Sequence, residues 1–350
     1  MQGIRIALVA ALCAHGALDP ALVAQGTARS QERVDDALRR ESDALVKIAE
    51  DAVHGRPVPA DFGLEWRNDF FKARPGTFVP FTISFTAPVM ASTRALLYVR
   101  VEARPRPRRA PRSYAYETIF PVTIDAGVGQ RVSFTRGFAV PAGRYRVVLA
   151  LRESVEAMQS DQQRKAGVLL QDLDVPDFWT GELAASTIML ASRVERLSEP
   201  VPPDELDEDP YAVGSNRIHV TWDRVFGRNR ELIVAFLIYN PSLGPDEHFD
   251  LQVDYHLYKK EAGGQVGTGR EGHPAPRAGE RYVTRTNPQR FNPSMMGPQF
   301  DPSAGTPLLA GQGIPLSGFE SGDYRLGITV TDLLSRKTLT RDVTFTVAGS

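Results

Sequence analysis

Apolar residues recur along this chain with two different periods. In SQERVDDALRRESDALVKIAEDAVHG, residues 30–55, Val34, Leu38, Leu45, Ile48, Ala49 and Ala52 fall at near-helical spacing with charges on the opposite face. Gly55 and Pro57 close the segment. The pattern predicts one amphipathic helix within residues 29–60, either packed on its own domain or presented as a short docking helix. Its apolar face is shorter than the three or four heptads of a coiled coil. From about residue 62 the period falls to two. Phe81, Ile83 and Phe85 alternate with Thr82 and Ser84, and Leu97, Val99 and Val101 alternate with Tyr98, Arg100 and Glu102. RVSFTRGFAV and RYRVVLAL continue the alternation, which is that of half-buried strands. GVLLQDL and ASTIMLAS read as the last strands of this run.

Residues 197–214, LSEPVPPDELDEDPYAVG, have no apolar period and combine prolines with acids, so they read as a solvated linker. Strands resume at RIHVTW. ELIVAFLIYN is a continuous apolar run, as a central strand buried on both faces requires. HFDLQVDYHLYKK alternates cleanly, a long Gly- and Pro-rich stretch occupies residues 263–312, and DYRLGITVTD and TLTRDVTFTV end the pattern. The expected organisation is a leader at 1–28, helix and connector at 29–60, a β-domain at 61–196, the linker at 197–214, and a second β-domain at 215–348.

One phrase occurs twice. Gly143, Tyr145 and Val147 in PAGRYRVVLALRE match Gly322, Tyr324 and Leu326 in ESGDYRLGITVTD. Gly-x-Tyr-x-aliphatic late in a run of strands resembles the tyrosine corner of immunoglobulin-like sandwiches. Two copies predict an all-β protein of two tandem immunoglobulin-like β-sandwiches, preceded by a signal peptide and a short α-helix. The alternative is that Gly-x-Tyr marks any hairpin.

Length allows two ordinary domains, since the chain has 350 residues. Lys plus Arg total 41 against 42 Asp plus Glu, so no global field draws the chain to nucleic acid or an anionic membrane. Arg5 followed by the apolar run Ile6–Ala14 and then small residues has the form of a signal peptide cleaved after Gly26 or Ala28, implying a periplasmic or secreted protein. Cys13 is the only cysteine and would leave with that peptide, so disulfides, Cys nucleophiles and Cys–zinc sites are not expected. No later run reaches the length of a membrane helix, so the chain is not expected to be an integral membrane protein.

Candidate chemistry is sparse. The six histidines show no HExxH or HxH spacing, and His219 and His256 sit at outward or edge positions in strands. The acids Asp204, Glu205, Asp207, Glu208 and Asp209 lack the spacing and glycine of a calcium loop. GTGREG at 267–272 matches a dinucleotide fingerprint formally, but HPAPRAG follows it where a helix is needed. No catalytic residue, cofactor or metal ligand is therefore assigned. Two segments suit a partner. ARPRPRRAPRSYAYE carries Arg106, Arg108 and Arg109 between strands, as an anion- or partner-binding loop or a plain connection. Residues 281–305 carry Tyr282, Phe291, Met295, Met296 and Phe300, either as a strap over a sheet edge or as a recognition surface.

LEWRNDFFKARPGTFVPFTISF, FLIYNPSLGPD, TNPQRFNPSMMGPQFDPSAG and GDYRLGITVTDLLSRKTLTRDVTFTV resemble exported Acidobacteria-type proteins with immunoglobulin-like modules, of the kind found beside von Willebrand factor A-related domains. The resemblance implies export and β-sandwich modules. The D-x-S-x-S run of an A domain does not occur, so no metal-dependent adhesion site carries over. The expected role is a non-catalytic binding or scaffolding protein of the cell envelope with a protein partner. The alternatives are carbohydrate binding through Trp66, Trp179 or Trp222, and a hydrolase with a loop-borne carboxylate pair.

Overall fold

The computed structural model describes residues 39–74, 76–105, 114–154, 164–261, 275–296, 300–301 and 306–349. The leader expected at 1–28, Arg106, Arg108, Arg109 and the GTGREG stretch lie outside these residues. Among the described residues the chain is all-β apart from one helix near its start and two short 3-10 turns. It divides into two compact units. One holds residues up to Arg67 with Thr82–Thr135 and Val140–Val175; the other holds Asn68–Phe81, Arg136–Ala139 and the chain from Pro176.

The helix α1 occupies residues 39–53. Eight strands follow: β1 (Glu65–Asn68), β2 (Phe71–Lys72), β3 (Thr77–Thr86), β4 (Arg94–Arg104), β5 (Tyr116–Thr123), β6 (Arg131–Val140), β7 (Gly143–Glu153) and β8 (Ala166–Val175). They form two sheets, one ordered β5-β4-β7-β8 and one with β1, β2 and β6 all paired to β3. Alternation divides the first of these sheets between two environments. Leu97, Val99, Val101, Val147, Leu149 and Leu151 are fully buried on one face. On the other, Leu96, Tyr98, Ile119, Val148 and Ala150 pack against Leu45 and Ala49 of α1. The amphipathic helix is thus a cover for its own sheet. Arg100 of β4 lies beneath it with 1% of its surface exposed, and its guanidinium meets Glu50 Oε1 of α1 at 2.7 Å and Glu102 Oε1 at 2.8 Å. A buried guanidinium needs such partners, because the desolvation of an unpaired one is prohibitive.

Besides β2 and parts of β3 and β6, the described residues of the second unit form β9 (Ala184–Ala185), β10 (Met189–Arg196), β11 (Ala212–Val213), β12 (Asn216–Val220), β13 (Val225–Gly227), β14 (Glu231–Tyr239), β15 (Leu251–Lys260), β16 (Glu280–Arg285), β17 (Gln289–Phe291), β18 (Leu308–Pro315), β19 (Gly322–Asp332) and β20 (Thr338–Ala348). One sheet runs β11-β12-β10-β14-β18 with β9 also on β14. The other runs β13-β20-β19-β15-β16 with β17 also on β15. Leu232, Val234, Phe236 and Ile238 of β14 join Val253, Tyr255, Leu326, Ile328, Val343 and Phe345 in the core between them. The alternate residues Ala235, Leu237 and Tyr239 pack on Phe71, Phe178, Met189, Tyr211 and Ile218. Both faces of β14 are covered, which is why its sequence is apolar without interruption.

From β3 and from β14 onward, the main strands of the two sandwiches fall into the same places in chain order. β3 pairs β6 while β5, β4, β7 and β8 form the facing sheet; β14 pairs β18 while β16, β15, β19 and β20 do so. This is the B–E against C′–C–F–G arrangement of immunoglobulin sandwiches. The repeated phrase lies at the start of strand F in each copy. Gly143 and Gly322 hold φ of 150° and 139°, which L side chains rarely adopt. Tyr145 then donates its hydroxyl hydrogen to the Pro141 carbonyl at 2.8 Å, and Tyr324 donates to that of Glu320 at 2.7 Å.

Two expected boundaries move. Ala184–Ala185 and Met189–Arg196, read as the end of the first domain, pair with β14 and β12 in the second unit. Alternation marks a strand but not its partner. The acidic stretch 197–214 is not a linker between the units, because it lies within the second, between β10 and β12. Tyr211 is buried in the β14 layer, Asp209 Oδ2 holds Arg217, and the Asp207 carbonyl accepts from Gly137 N at 2.8 Å. One aromatic anchor and two specific polar contacts fold a segment whose composition reads as solvated.

Candidate functional site

Strand β18, LLAGQGIP, ends its sheet: among the described residues it pairs with β14 alone. The direction of its backbone follows from its neighbours. The Leu237 carbonyl accepts from Ser186 N and the Leu237 N–H donates to Ser186 Oγ, so its backbone points away from β18. Leu309, its Cα partner across β14–β18, is then a non-hydrogen-bonded position, and its N–H and C=O point to the open side. By period two, so do those of Gly311 and Gly313. Two side-chain amides occupy part of that row: Gln289 Nε2 donates to the Gly311 carbonyl at 2.5 Å and Gln312 Nε2 to the Gly313 carbonyl at 2.9 Å.

Sheet edges are ordinarily guarded by charge, proline or a bulge. β18 has no charged residue, and its proline closes the strand instead of interrupting it. Glycine within a strand also marks places where a second backbone comes close. The arrangement is competent for strand addition, in which main-chain bonds supply affinity and flanking side chains supply selection. Period-two reading passed over this strand because Gly311 and Gly313 interrupt it. The surviving signal is Leu308, Ala310 and Ile314, which point into the core.

The outer face of the facing sheet is consumed internally. Arg325 donates through Nε and Nη2 to Glu280 at 2.7 and 2.6 Å, and through Nη1 to Asp342 Oδ1 at 2.7 Å. Its guanidinium carbon lies 4.1 Å from the Tyr258 ring centre. The hydrogen bonds from Arg325 hold the Glu280 carboxyl below its usual range. Arg277 also pairs with Asp342, so two cations and two anions balance beside a cavity of about 160 Å³. His256 lines it and is 6% exposed, tilted against Tyr282 at 6.1 Å. The expectation of a surface histidine is therefore corrected: its side chain does leave the core, but Tyr282 and the ion cluster cover it.

Of the described residues of 281–305, Met295 is 61% exposed, while Tyr282, Phe291, Met296 and Phe300 act as anchors. Tyr282 stands edge-on to Tyr258 with centres 5.6 Å apart, Phe300 packs on Phe249 at 5.5 Å, and Phe291 and Met296 join the core margin. The tryptophans are engaged too. Lys72 Nζ lies 4.3 Å from the Trp179 ring centre and Arg74 5.0 Å, while Trp179 Nε1 donates to the Ala73 and Gly76 carbonyls. Trp222 stands edge-on to Tyr211. Trp66 is half-buried. Among the described residues no group of three or more His, Cys, Asp or Glu side chains is placed to hold a metal ion, and no helix is long and apolar enough to cross a membrane.

No family model matches the sequence, and no curated protein matches it. Among solved structures, the native conformation of E. coli alpha-2-macroglobulin, reconstructed by cryo-EM, is similar at 10% identity with a TM-score of 0.22. The match covers 83% of this chain and 16% of that chain. The fold assignment rests on the strand order described above.

Proposed function

We propose that the chain is a non-catalytic binding or scaffolding protein, exported to the bacterial cell envelope, that receives an extended segment of a protein partner along β18. The observation that carries this reading is the uncharged edge with the backbone groups of Leu309, Gly311 and Gly313 turned outward. Export is supported by the N-terminal pattern of Arg5, an apolar run and small residues.

The test uses proline on the open side of the strand. A Cβ at Gly311 would meet only the Val234 carbonyl, at an ordinary 3.5 Å. Proline there removes the outward donor and keeps the bonds to β14. The full chain and its Gly311→Pro variant are each used to capture partners from an envelope extract of the source cells. The expected result is a protein retained by the parent chain and lost by the variant, with unchanged thermal unfolding. Equal retention by both contradicts strand addition at β18.

A further inference from the structure

A second cavity in the same unit, of about 290 Å³, is lined by Phe70, Phe178, Ile188 and Val343 below and by Arg224 and Arg341 at its rim. Among the described residues neither guanidinium meets a carboxylate within 4 Å; Arg341 Nη1 donates only to the Thr340 carbonyl. Arg341 is exposed at the rim, and Arg224 is half-buried with its charge acting on the buried Asp69 carboxyl. Arg224 also holds a left-handed backbone, φ 55°, which non-glycine residues seldom adopt. Two contacts impose it: Val225 N donates to Asp223 Oδ1, and Thr346 N donates to the Arg224 carbonyl at 2.9 Å.

That last bond fixes the direction of β20. Thr346 N points away from β19, so by period two the backbone groups of Thr344 and Asp342 point the same way. β13 pairs only with Thr346, Val347 and Ala348, and Asp342 lies beyond its end. The Asp342 carboxylate is engaged elsewhere, by Arg325 and Arg277, so what Asp342 presents toward the cavity is main chain. Two guanidiniums, an outward N–H and an apolar floor make a site complementary to one negative charge on a hydrophobic body.

We propose that this cavity binds an apolar carboxylate, its oxygens on Arg224 and Arg341 and its tail over Phe70, Phe178 and Ile188. The site is separate from β18 and does not depend on the reading of that edge. A small organic acid or the C-terminus of a peptide would supply the same chemistry. The volume suits a body of about ten non-hydrogen atoms, at the lower limit of ligand pockets.

The test is titration calorimetry on the full chain with phenylacetate, phenylacetamide, and an N-acetylated tripeptide ending in phenylalanine. The carboxylate or the peptide is expected to bind and the amide to bind at least roughly tenfold more weakly, as loss of a charge-assisted hydrogen bond requires. Tighter binding by the peptide assigns a protein terminus as the source; tighter binding by phenylacetate assigns a small acid. Arg341→Gln and Arg224→Asn, the latter chosen because asparagine tolerates the left-handed region, are each expected to weaken binding roughly tenfold. Circular dichroism and thermal unfolding of both variants verify that they fold. Failure of both acids to bind at millimolar concentration, equal binding of acid and amide, or unchanged affinity in the folded Arg341→Gln variant would overturn the proposal.

Discussion

Gln289 bridges the two sheets of the second sandwich: its Oε1 accepts the Tyr255 hydroxyl at 2.7 Å while its Nε2 reaches the Gly311 carbonyl at 2.5 Å. Tyr255 is fully buried in the core and its hydroxyl has this one partner at the core margin. The same side chain therefore satisfies a buried donor and occupies part of the open edge. Gln289→Ala is expected to destabilise the chain by about 1–3 kcal/mol, because a buried hydroxyl loses its acceptor. Adding Tyr255→Phe should recover part of that loss. Urea unfolding of the single and double variants measures both effects.

The two tyrosine corners are equivalent in geometry, and each hydroxyl closes a turn onto a carbonyl four residues earlier. Tyr145→Phe and Tyr324→Phe are each expected to cost about 1 kcal/mol, the net value of one such bond. Chemical denaturation followed by circular dichroism reads the change. A loss well above this would mean that the hydroxyl does more than close the corner.

The Arg325–Glu280 pair separates charge burial from packing. Both residues are under 8% exposed. Arg325→Met leaves Glu280 buried without its main partner and is expected to cost about 3–5 kcal/mol. The double variant Arg325→Met with Glu280→Gln should be much closer to the parent, since it removes the stranded charge. Equal stability of single and double variants would contradict this.

Burial pushes the Asp69 carboxyl up to about 6 from 3.8, partly offset by the Tyr211 hydroxyl at 2.7 Å and by the charge of Arg224. Between these values the folded chain binds more protons than the unfolded one, so this group's contribution to stability falls as pH rises through that window and stays low above it. The cost at pH 8 is about 3 kcal/mol. Asp69→Asn keeps an acceptor for Tyr211 and does not titrate. It should match the parent near pH 4 and exceed it by up to about 3 kcal/mol at pH 8. Carboxyls held low by cations, such as Glu280 and Asp250, are common to both proteins and cancel in the comparison.

The strands that alternate cleanly were legible as sequence, as were the helix, the doubly covered β14 and the Gly-x-Tyr repeat. Each of these is a local periodicity set by which face meets water. Partner choice was not legible. Met189–Arg196 reads as a strand of either sandwich, and only its registry with β12 and β14 assigns it. Residues 197–214 look solvated because proline and acid dominate, yet buried Tyr211 and the polar contacts of Asp207 and Asp209 anchor them. The edge strand escaped because Gly311 and Gly313 have no side chain to carry a period. The backbone groups that define the edge leave no trace in composition at all.

The most direct measurement is amide hydrogen exchange along β18 in the free protein, resolved by residue. The amides of Ala310, Gln312 and Ile314 face β14 and should exchange slowly. Those of Leu309, Gly311 and Gly313 should exchange faster by orders of magnitude. Uniform protection from Leu309 to Ile314, or an alternation of the opposite phase, would contradict an edge open to a partner strand.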